Sequence, residues 1–88
     1  MTIERIESFV SEHINHPNYI NVHIKGRNVE SVMFIAGRDY EELKEKNFWR
    51  VVSESKAKEW TKTKDQKLVR IYSGNLFTKL SNGKRSES

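Results

Sequence analysis

The chain has no cysteine, one proline and four glycines among its 88 residues. Without cysteine there is no disulfide framework, no thiolate metal site and no thiol nucleophile. Gly26, Gly37, Gly74 and Gly83 lie too far apart to form the G-x-G-x-x-G turn that holds a dinucleotide pyrophosphate. No serine sits in a G-x-S-x-G elbow. No apolar run approaches the ~20 residues a membrane-spanning helix needs. The opening Thr2-Ile3-Glu4-Arg5 lacks the basic segment and apolar run of a secretory signal. A soluble, cytoplasmic protein with no membrane role is the expectation.

What is present is charge, unevenly spread. The net charge is +4. Residues 1–44 carry 5 Lys/Arg against 7 Asp/Glu, and residues 45–88 carry 11 against 5. A basic second half suits an anionic partner. Lysine-rich solvated faces and edge strands give the same composition. Nine aromatics with a good supply of Ile, Val and Leu indicate a folded chain. The length suits one domain with a single small core. The expected domain is residues 1–81, with a disordered polar tail over 82–88.

Ile3, Ile6, Phe9, Val10 and Ile14 recur at helical spacing, with Thr2 as N-cap and Pro17 ending the helix near Asn15. Tyr19 to Lys25 alternates, with Ile20, Val22 and Ile24 on one face. Gly26 to Val29 reads as a turn, and a second strand follows over 30–36. That strand is apolar on both faces (Val32 and Phe34, Met33 and Ile35), so it is covered on both sides or central, in an antiparallel hairpin.

Asp39 and Glu42 form a capping-box pattern for a short helix near 39–46, which Asn47 stops. Phe48 to Ser53 is the third strand, with Trp49 and Val51 opposite Phe48, Arg50 and Val52. Residues 55–58 read as a loop and 59–64 as a lysine-rich strand around Trp60. Strands follow at 68–73 and 76–80, joined at Gly74-Asn75. The fold class is α+β, mainly β: an N-terminal amphipathic helix and a strongly bent antiparallel sheet of about five strands forming a small barrel. A helix laid on an open antiparallel sheet is the alternative.

Tyr40 and Lys44 have Tyr-x-x-x-Lys spacing, in which a lysine lowers a phenol's pKa for proton transfer. Short-chain dehydrogenases use that pair inside a nucleotide-binding fold, and neither the length nor the glycines here suit one. The pair is read as helix surface. His13 and His16 lie three apart with His23 nearby, but Pro17 interrupts the helix and no third ligand is indicated, so no metal site is expected. No catalytic residue and no cofactor are expected.

The remaining candidate is the interleaving of aromatic and basic residues from Asn47 to Ser81. Trp49, Trp60, Tyr72 and Phe77 suit base stacking, and cations beside them suit phosphates. So small a core needs at least half of these aromatics. Trp49 is therefore assigned to the core and Trp60 to the surface. The expected nucleic-acid-binding residues are Arg50, Trp60, Lys62, Lys64, Lys67, Arg70 and Lys79. The function expected is a small non-enzymatic binding module for RNA or another polyanion. The alternative is a protein-interaction or self-associating module using a strand edge or apolar patch.

Two resemblances follow from these residues. Leu68 to Gly74 with Leu76 to Leu80, behind a leading helix and a hairpin, resembles the closing strands of Sm-like and SH3-like barrels. Sm-like proteins are typically ring-forming RNA binders, so RNA binding and ring assembly are what that resemblance implies. The turn here is Tyr72-Ser73-Gly74 rather than Ile-Arg-Gly, and Gly37 to Tyr40 replaces the uracil-cradling loop. Residues 21–25, 47–55, 64–65 and 77–81 together resemble a family of small, uncharacterised bacterial proteins. Some members are labelled short-chain dehydrogenase, which the glycine count contradicts; the family implies no activity.

Overall fold

A computed structural model describes residues 1–12 and 18–85. Thr2 starts α1 (Ile3–Val10), its hydroxyl accepting from the Arg5 N–H at 3.4 Å. Ile6 and Val10, one turn apart, are fully buried. α1 ends at Val10 with Ser11 as its C-cap, short of the expected end near Asn15, and His13, His16 and Pro17 lie outside the described residues.

Strand β1 (Asn18–Ile24) buries Ile20, Val22 and Ile24 and pairs with β2 (Glu30–Phe34) in the expected hairpin. Gly26 turns the chain with φ +77°, a conformation that costs glycine little. α2 (Tyr40–Glu45) follows, then β3 (Phe48–Ser53), β4 (Arg70–Ser73) and β5 (Phe77–Arg85). The sheet is five-stranded and antiparallel in the order β4-β3-β2-β1-β5. β2 is central, which explains its two apolar faces.

On one face Ile20, Val22, Val32, Phe34, Trp49, Val51, Phe77 and Leu80 form a cluster with Ile6 and Val10 of α1, and Tyr72 of β4 packs against it. All five strands thus contribute to one core. Its aromatics meet edge to face: Phe34 with Trp49 at 6.4 Å and with Phe77 at 6.5 Å. A register shift at Thr78 lets Phe77 and Leu80, three apart, both point inward. Each fully buried Val or Ile contributes about 1.5–3 kcal/mol.

The opposite face carries Met33, Ile35 and Val52, a second apolar patch. Its cover corrects the sequence reading. Residues 54–63 form a helix, α3 (Glu54–Thr63), not a loop and a lysine-rich strand. Glu, Lys and Ala favour helix, and Ala57 and Trp60 fall one turn apart to face the patch. Lys64 ends α3 with φ 54°.

Three smaller expectations also change. The Asp39 side chain makes no capping bond to α2; its carboxylate holds Arg50 instead. Strand β5 runs to Arg85, so residues 82–85, expected in the tail, belong to the sheet, and 86–88 lie outside the described residues. The sheet is bent but not closed into a barrel: β4 and β5 are its two edges. Only the 3-10 turn Gly74–Leu76 separates them in sequence, so they approach at one end and leave a seam between them.

Candidate functional site

The residues expected to bind do not form one aromatic-basic face. Trp49 is 2% exposed, as assigned. Its indole N–H donates to Asn47 Oδ1 at 2.8 Å. Phe77 is buried in the same core. Tyr72 points inward, its hydroxyl donating to the Glu30 carboxylate. Burial first, and that bond second, raise its pKa above the ordinary 10.0. Trp60, expected on the surface, packs against the patch of Met33, Ile35 and Val52, and Lys64 Nζ lies 3.9 Å above its ring. All four stacking candidates are therefore engaged within the fold.

Arg50 is engaged too. Its Nη2 lies 2.7 Å from Asp39 Oδ2, and its side chain is only 21% exposed. Lys62, Lys67, Arg70 and Lys79 are exposed, as is Lys64 at the end of α3. They divide by position: Lys62 and Lys64 on α3 and its cap, Lys67 in the 3-10 turn Gln66–Leu68, Arg70 at the start of β4, and Lys79 on β5 beside His23. Lys79 thus stands on the opposite edge strand from Arg70. Sequence reasoning missed Lys56 and Lys58, because it did not see the helix that groups them with Lys62. From Lys56 to Arg70 the chain carries six cations and two acids, Glu59 and Asp65. Among the described residues, ion pairs involve only Lys44 and Arg50 as cations.

The Tyr40–Lys44 pair packs in an unexpected place. Lys44 bonds Glu7 of α1 and Glu41, and lies 5.6 Å from the Tyr40 ring centroid. Glu41 and Glu7 hold its ammonium protonated well above the ordinary lysine range. Burial and then Glu7 raise the Tyr40 pKa, opposite to the shift a proton-donating phenol needs. The pair joins α1 to α2. Among the described residues no group of three His, Cys, Asp or Glu is placed to hold a metal ion. No described helix is long and apolar enough to cross a membrane.

The seam between the two edges holds a cavity of about 300 Å³. Ile71, Tyr72 and Ser73 line one side; Ile24, Lys25, Arg27, Leu76 and Phe77 line the rest. Ile71 and Leu76 are each 51% exposed. The arrangement defines a class: an α+β domain whose bent antiparallel sheet carries α1 on one face and α3 on the other, with an open seam. Compared with protein-family models, curated proteins and solved structures, the chain matches none.

Proposed function

We propose that this protein is a non-enzymatic binding module for a polyanion, with nucleic acid, RNA first, as the natural ligand. One observation carries the reading: the exposed run from α3 into β4 presents Lys56, Lys58, Lys62, Lys67 and Arg70, none in an ion pair among the described residues. Such cations gain affinity by releasing counterions from phosphates, without base stacking. Because the aromatics are engaged elsewhere, recognition rests on the ligand's backbone. Arg50 and Trp60 are structural in this reading, and Lys79 is peripheral.

Fluorescence anisotropy with labelled single-stranded RNA and duplex DNA across a salt series tests it. Four phosphate contacts give a slope of log K against log salt of about −3 for single strands and about −4 for duplex. Replacing Lys62 and Lys67 together by Glu should weaken binding and flatten that slope, while Lys79→Glu should change it little. Absence of binding at the lowest salt would sink the proposal.

A further inference from the structure

Ile71 sits on an edge strand, half exposed, where natural sheets favour lysine, proline or a bulge. Its backbone N–H and C=O face no other strand among the described residues. The Ile35 N–H donates to the Arg50 C=O at 3.1 Å, so the Arg50 backbone faces β2. In an antiparallel ladder each residue turns its N–H and C=O to one side, and successive residues alternate. Ile71 stands opposite Arg50 and therefore turns its N–H and C=O away from β3, toward the open edge. Ser73, two residues on, does the same. The Gly74 N–H to Asn47 C=O bond, at 2.7 Å, fits this alternation.

Beside that edge lies the seam cavity. Leu76 supplies a second exposed apolar side chain, and Lys25 and Arg27 supply two cations. Neither cation has a carboxylate partner among the described residues. Unpaired amides call for a strand, exposed apolar side chains call for apolar side chains on it, and the cations call for carboxylates. A nucleic acid answers only the last of these.

We infer that the seam is a docking groove for an extended acidic peptide segment of a partner protein, which adds as a strand to β4. Its apolar side chains lie against Ile71 and Leu76, and its carboxylates meet Lys25 and Arg27. The groove is separate from the polyanion reading, four of whose five cations lie on α3 and the turn after it, with only Arg70 on β4.

The test uses a short, end-capped, fluorescent peptide alternating valine and glutamate. Its controls are polyglutamate of equal length and the same peptide N-methylated at every second residue, which removes the N–H groups facing β4. The alternating peptide should bind, and both controls should bind at least about tenfold more weakly. Ile71→Lys and Arg27→Glu, both at exposed positions, should each weaken binding about tenfold while circular dichroism stays unchanged. Four results overturn the inference: no binding of the alternating peptide, equal binding of polyglutamate, undiminished binding by Ile71→Lys, or competition by RNA. A concentration-dependent dimer dissolved by Ile71→Lys overturns it too, by assigning the edge to a second copy of the chain.

Discussion

Asn47 Oδ1 accepts the Trp49 indole N–H at 2.8 Å, which joins the residue that ends α2 to the largest side chain of the core. The same amide donates through Nδ2 to the Met1 C=O at 3.2 Å and to Asn75 Oδ1 at 3.0 Å. Asn47 is the only polar residue buried among those described, and its φ is 62°. Asparagine tolerates that left-handed conformation better than most residues.

Asn47→Ala should lower stability by about 2–5 kcal/mol, because it strands a buried indole donor and puts a Cβ-bearing residue without local bonding at positive φ. Asn47→Gly keeps the backbone at ease and should cost less, about 1–3 kcal/mol. Urea melts of the two variants separate the side-chain contribution from the backbone one.

Gly74→Ala should destabilise by more than the roughly 1–3 kcal/mol of ordinary overpacking. A Cβ there would lie 2.1 Å from Asn47 Oδ1 and 2.5 Å from Ile6 Cδ1. Because Asn47 is half of that clash, the Gly74→Ala, Asn47→Gly double variant should cost less than the sum of the singles. Strict additivity in a double-mutant cycle would contradict the contact.

Trp60 variants should affect stability before binding. Trp60→Ala removes most of the side chain that joins α3 to the outer patch and should cost about 2–4 kcal/mol. The indole N–H is buried without a hydrogen-bond partner among the described residues. Trp60→Phe therefore loses no hydrogen bond and should cost less than Trp60→Ala. RNA affinity of the folded Trp60→Phe variant should equal that of the parent chain in the anisotropy titration.

Stability should fall above the ordinary tyrosine pKa of 10.0. Tyr40 and Tyr72 both have raised values in the fold, so the unfolded chain ionises first as pH rises. The stabilisation is complete below the unfolded value and is lost as pH climbs through the folded one. Lys44, whose proton is held by Glu41 and Glu7, acts in the same direction at higher pH. Urea midpoints measured from neutral to alkaline pH should show the decline, and Tyr72→Phe should make it shallower.

Most of the sheet was legible from alternation. Ile20-Val22-Ile24 and Trp49-Val51 mark the inner face, and the doubly apolar 32–35 segment marks the central strand. The helix α3 was not, because Trp60-Thr61-Lys62-Thr63 has strand-like composition. The stronger signal stood just before it, in the helix formers of residues 54–59, and in Met33, Ile35 and Val52, whose second apolar face requires a cover. The Asp39–Arg50 ion pair joins residues 11 apart, and the capping pattern at Asp39 pointed to a different partner. Of the candidate binding residues, charge and exposure were readable for the lysines. The engagement of Trp60 and Arg50 depends on packing between elements, which local pattern does not encode.

Strand β5 pairs with β1 along its length, although the two lie at opposite ends of the chain. That pairing closes the longest loop of any strand pair in the sheet, an arrangement that slows folding. During synthesis β1 and β2 emerge long before their sheet is complete, and one side of β1 stays open until β5 arrives. A chain stopped before Phe77 should leave that edge exposed and aggregate rather than fold. The arrival of β5 thus sets how long that edge is open to other chains.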